Sequence, residues 1–135
     1  MLFEAESKID IKEYSPLSLA FVGDGVLELL VRKRAVETTR LAPGRLHSLC
    51  VNYVSAKGQY VGLSAVLPLL TEQEQAVLRR GKNATKATVS KHASPKEYRY
   101  STGFEALLGY LYLTNQNSRI EELFDAFWQA VTESL

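Results

Sequence analysis

"LAFVGDGVLELLVRKR", residues 19–34, decides how the whole chain is read. Its composition is that of an amphipathic helix, yet Asp24 stands between Gly23 and Gly25 near its middle. At helical spacing, Leu17, Ala20, Phe21, Asp24, Leu27 and Val31 form one stripe, and Glu28 falls on it one turn later. An ionised carboxylate on an apolar stripe is costly unless it is hydrogen-bonded, paired or bound to a metal. Three arrangements meet that requirement. Asp24 pairs with an arginine or caps a neighbouring helix; or the stripe faces a partly solvated cleft; or Asp24 holds a hard divalent cation with oxygen ligands from elsewhere in the chain.

Outward from this stretch the punctuation is helical throughout. Ser15 and Pro16 supply a cap and a first helical residue for a helix from about Pro16 to Val36. "LAPGRL" interrupts, and "GRLHSLCVNYVSAKGQYVGLSAVL" resumes helical periodicity until Pro68. "TEQE", residues 71–74, has the form of a capping box and begins a short helix to about Arg80, which Gly81 and Asn83 stop. Residues 81–96, "GKNATKATVSKHASPK", are small, polar and basic without apolar periodicity, and read as an exposed loop. Ser94 and Pro95 open the next helix, and "SRIEELFDAFWQAVTESL" closes the chain with Ile120, Leu123, Phe124, Phe127 and Val131 on one face. No stretch alternates as a strand does. The expected class is all-α, with residues 1–135 forming a single helical domain.

Composition agrees with a globular domain: 135 residues, 46% hydrophobic and 23% charged, with a net charge of +1. Near-neutrality gives no global reason to expect a polyanionic partner. One cysteine, Cys50, forms no internal disulfide, and its helical spacing with Leu46, Leu49 and Tyr53 makes it a buried thiol rather than a nucleophile. The start of the chain lacks a secretory pattern and no apolar run is long enough to span a bilayer, so the expectation is a cytoplasmic protein without a membrane.

A second acid repeats the anomaly. Glu105 interrupts "STGFEALLGYLYL", with Phe104, Leu107, Leu108 and Leu111 apolar around it, Thr102 one turn before and Gly109 one turn after. The glycines near both acids would let two backbones approach closely, at about 1 kcal/mol each in helix propensity. Local clustering also departs from the global charge: Arg79, Arg80, Lys82, Lys86, Lys91, Lys96 and Arg99 face the single acid Glu97. The plain explanation is a solvated surface loop. Beside a carboxylate pair, the same cations suit a phosphodiester, with lysines on the backbone and acids on a metal. His47 and His92 have no partner at ligand spacing and are expected at the surface or at helix ends.

"LAFVGDGVLELLV" resembles the signature helix of the ribonuclease III family, and "RRGKNA" followed by "YRYSTGFEALLGYLYL" resembles the second stretch of the same domain. Order and spacing match, and the likeness covers nearly the whole chain. With no room for the double-stranded-RNA-binding domain that usually follows, it is similar to the small bacterial Mini-ribonuclease III subfamily. The resemblance implies a homodimeric, magnesium-dependent endoribonuclease that cuts both strands of an RNA duplex. For the subfamily it implies trimming of precursor 23S ribosomal RNA, stimulated by a ribosomal protein. By position, Asp24 matches the catalytic aspartate, Glu105 the metal-binding glutamate, and Phe21 an aromatic residue of the dimer interface. Full-length members carry further acids where this chain has Ala20 and Thr102, so water, RNA phosphate or a side chain such as Glu28 must complete the coordination.

The mechanism implied is in-line hydrolysis with Mg2+ held by Asp24 and Glu105, Glu28 as a supplementary ligand or a group behind the ligands, and Arg80, Lys82, Lys86, Lys91 and Lys96 on the RNA backbone. Loss of acids at Ala20 and Thr102 motivates an alternative, a non-catalytic relative that binds structured RNA or ribosomes and keeps its RNA in chelator without producing fragments. A helical metal-binding protein without RNA is a further alternative, and it predicts no salt-sensitive affinity for duplex RNA.

Overall fold

The structure is a computed structural model that describes residues 3–5, 10–85 and 93–135. Six α-helices follow one another: α1 Pro16–Thr38, α2 Pro43–Val54, α3 Ala56–Val66, α4 Glu72–Ala84, α5 Pro95–Leu113 and α6 Asn117–Ser134. Single 3-10 turns precede α1 and follow α3, and no strand occurs among the described residues. No helix among those residues is long and apolar enough to cross a membrane.

α5 is the central element, touching α1, α3, α4 and α6. From Ser101 to Leu111 every residue is buried except Glu105 and Tyr110, which are partly so. A helix apolar on nearly all sides must be enclosed. α6 closes the core as its stripe demands, with Ile120, Leu123, Phe124, Phe127 and Val131 all buried and Phe127 stacked on Phe104 of α5 at 5.0 Å.

The caps form as their residues dictate. Ser15 Oγ accepts from the Ser18 N–H at 3.0 Å, and both Thr71/Glu74 and Ser94/Glu97 close capping boxes. Glu74 does more than cap. Arg119 of α6 grips its carboxylate with Nε and Nη2 at 2.9 and 2.8 Å, holding that carboxyl below its usual range.

Three expectations change. The helix read through "GRLHSLCVNYVSAKGQYVGLSAVL" divides at Ser55, whose extended backbone (φ −64°, ψ 156°) ends α2 and whose Oγ caps α3 by accepting from Gly58 N–H at 3.1 Å. The apolar period runs on across the break, which is why periodicity alone hides it. Gly81 does not stop α4. It is buried against Gly103 and Ala106 of α5, and the helix continues to Ala84, leaving Lys82 helical. The buried stripe of α1 is Leu19, Ala20, Gly23, Leu27, Val31 and Ala35. Leu17 and Phe21 are exposed, Phe21 at 83%. The whole stripe is rotated so that Asp24 lies at its edge, about 100° from Gly23.

Candidate functional site

Backbone proximity builds the site. A Cβ on Gly23 would overlap the Glu105 carbonyl oxygen, and one on Gly109 would overlap the Leu19 carbonyl oxygen. α1 and α5 therefore cross in main-chain contact. The next residue along α1 is Asp24, and Glu105 itself supplies the facing backbone, so the crossing brings the two acids together. Gly25 has no atom within 4 Å of a Cβ built on it, and Gly103 serves the α4–α5 contact instead.

Glu105 carries the imprint of this meeting. Burial pushes its carboxyl up to about 8, with the charge and hydrogen bond of Asp24 and the charge of Glu28 adding to the rise. The amide of Gln59, donating from Nε2 to Oε2 at 3.2 Å, opposes it. Among the described residues no Lys, Arg or His pairs with Asp24 or Glu105. A buried Glu105 beside the Asp24 carboxylate, with no counter-cation, either keeps its proton or ionises against a bound cation. The residues fit a hard divalent cation on that ground.

A pH prediction follows. Unfolding returns Glu105 to its ordinary 4.5, so between that value and about 8 the folded chain holds a proton that the unfolded chain has lost. That contribution to stability is present at low pH and is lost as pH rises through about 8. In chelator, the melting temperature should fall across this window, and Glu105→Gln should flatten the profile when melting is followed by circular dichroism.

The remaining site residues take distinct places. Glu28 is half-buried and accepts from Arg32 Nε at 3.1 Å, one turn along α1. Ala20 is buried, and buried Thr102 donates its hydroxyl to the Tyr98 carbonyl at 3.0 Å, so neither position offers a ligand. Among the described residues no three of His, Cys, Asp or Glu gather as a ready-made ligand cluster. Arg80 is exposed on α4. Lys82 Nζ lies 4.8 Å from the Tyr100 ring and Lys96 Nζ 5.8 Å from the Tyr60 ring, while the two rings meet edge-on at 5.6 Å. Lys86, Lys91 and His92 lie outside the described residues. His47 is exposed and Cys50 buried, its thiol pushed up by that burial.

Gln59, Tyr60 and Tyr100 were not singled out from sequence. Gln59 had a signal of the kind that marked Glu105, since it occupies an apolar stripe with Leu63 and Val66. The tyrosines had none, because half-buried aromatic residues are ordinary in helical proteins.

Residues 17–116 match the family model described as the ribonuclease III domain. The chain is 42% identical over 118 residues to Mini-ribonuclease 3 of Enterococcus faecalis, covering 86% of this chain and 89% of that protein. With Mini-ribonuclease 3 of Symbiobacterium thermophilum it shares 47% over 111 residues, covering 82% and 85%. A crystal structure of a protein from Fusobacterium nucleatum superposes with a TM-score of 0.78 at 27% identity, covering 90% of this chain and 98% of that one. The chain therefore belongs to the ribonuclease III family and is an endoribonuclease.

Proposed function

We propose that the chain cleaves double-stranded RNA with magnesium held by Asp24 and Glu105, and that its cellular substrate is precursor 23S ribosomal RNA in the cytoplasm. The observation that carries this reading is the convergence of two uncompensated carboxylates at the α1–α5 crossing. Magnesium keeps most of its water and is commonly bound through one or two carboxylates plus substrate phosphate oxygen. A two-carboxylate site suits it, and a four-donor zinc site is not what this chain offers. When bound there, the ion supplies Lewis acidity at the scissile phosphate and an activated water.

The chain's own residues orient and neutralise. Asp24 and Glu105 bring carboxyl oxygens to one point, where a bound cation would favour the ionised form of Glu105, and Glu28, restrained by Arg32, adds to the field around Glu105. Lys82 and Lys96, steadied over Tyr100 and Tyr60, present ammonium groups to phosphates. Arg80, Lys86 and Lys91 extend that contact. Replacing Lys82 and Lys96 with alanine should weaken duplex binding and reduce the slope of log affinity against log salt by about one per lost phosphate contact. An unchanged slope would assign these lysines to solubility.

A cut through both strands needs two sites, and a symmetric dimer provides them. Phe21, 83% exposed on α1 one turn after exposed Leu17, supplies an apolar anchor for such a contact. Phe21→Asp should shift sedimentation toward a monomer; a wild-type chain already monomeric at assay concentration would contradict the two-site cut. A ribosomal protein is the expected stimulating partner.

The experiment for the function is incubation of a long RNA duplex with the purified protein, with and without magnesium, mapping both ends of every fragment. Magnesium-dependent fragments staggered between strands are expected. Retention of intact duplex under all conditions would make the chain a binder only.

A further inference from the structure

The break between α2 and α3 has a chemical use. In an unbroken helix the Val54 carbonyl would accept from Gly58 N–H, but that N–H is taken by Ser55 Oγ at 3.1 Å. The Gln59 side chain fills the place, donating from Nε2 to the Val54 carbonyl at 3.0 Å. A backbone carbonyl only accepts, so the nitrogen end of this amide must face it. The second N–H of the same nitrogen then donates to Glu105 Oε2 at 3.2 Å. Gln59 is 2% exposed, and its Oε1 has no hydrogen-bond partner among the described residues. An apolar residue would avoid that unsatisfied oxygen, and Gly62, Leu63 and Val66 on the same stripe are buried without one. Besides satisfying the Val54 carbonyl, the amide reaches across to Glu105.

We propose that Gln59 is a positioning residue for Glu105: the free carbonyl at the end of α2 orients its amide, and the amide fixes the Glu105 carboxylate, through Oε2, for the ion shared with Asp24. The inference rests on the metal-binding reading of Asp24 and Glu105. Groups that orient a metal ligand are typically worth about 10–100-fold in metal affinity.

Manganese binding, followed by electron paramagnetic resonance without RNA, tests it. Gln59→Met keeps similar length without a donor, and should weaken manganese binding by about tenfold or more. It should raise the magnesium concentration for half-maximal cleavage in proportion. A lowered melting temperature with unmoved half-saturation would mean a structural role only and would overturn the proposal. Asp24→Asn separates the two readings. If it abolishes binding while Gln59→Met binds normally, Gln59 has no positioning role and the metal site stands. If Asp24→Asn binds manganese as the unaltered chain does, the metal site fails and the proposal with it. Should Gln59→Met not fold, the side-chain amide resonances of Gln59 in the unaltered protein decide. They should shift on magnesium addition with the half-saturation of the ion, and not in Asp24→Asn; resonances that stay fixed while magnesium saturates the site overturn the proposal.

Discussion

Asp24→Asn is expected to lower cleavage of duplex RNA by more than about 100-fold, beyond the loss that outer partners of a metal site give, while the chain melts no lower than before. The two halves of this expectation come from one feature. Asp24 is exposed and carries no ion pair among the described residues, so its charge holds nothing in the core together. Its charge and hydrogen bond oppose ionisation of Glu105, and removing the charge makes that ionisation easier as pH rises. In chelator the variant should therefore be as stable as the wild type or slightly more so. Added magnesium should stabilise the wild type by mass action and leave the variant unmoved. Melting curves with and without magnesium, read beside initial cleavage rates, check both halves. A variant that cleaves normally would remove Asp24 from the site.

The second large effect is expected at Gly23. Alanine gains about 1 kcal/mol over glycine in helix propensity, so an exposed glycine in α1 should be improved by the change. At Gly23 the new methyl meets the Glu105 backbone, which cannot rotate aside. Forced overpacking costs about 3 kcal/mol, and the sum is a net loss of about 2 kcal/mol, or about 8 °C in melting temperature for a domain of this size. Cleavage should suffer more than stability, because separating α1 from α5 parts Asp24 from Glu105, and misplacement by about 1 Å can cost about 100-fold. Gly25→Ala is the control. With no atom within 4 Å it should raise the melting temperature, and opposite signs at two glycines two residues apart would be hard to obtain from propensity alone. Thermal melting of both variants is the measurement.

The contrast between these glycines marks where sequence reasoning reached and where it stopped. The all-helical class, most caps and the α6 core stripe were legible because each depends on residues within one or two turns, whereas five helices were read where six stand. The pairing of Asp24 with Glu105 was legible only as an anomaly, two acids on apolar helices. Their meeting depends on which glycines sit at the α1–α5 crossing, and composition marked Gly23, Gly25, Gly103 and Gly109 alike. Only Gly23 and Gly109 serve that contact. The Ser55 break escaped because a serine inside "NYVSAKG" disturbs no apolar period, and Gln59 escaped with it, since its role depends on the carbonyl that the break sets free. The rotation of the α1 stripe, with Phe21 outside and Gly23 inside, followed from the same limitation: a glycine has no hydropathy with which to announce burial.

The most direct measurement of the central claim is anomalous diffraction from crystals of the protein grown with manganese. A peak ligated by carboxylate oxygens of both Asp24 and Glu105 is predicted, at the roughly 2 Å typical of small divalent cations. Manganese bound only elsewhere, with both carboxylates free of it at saturating concentration, would contradict the account.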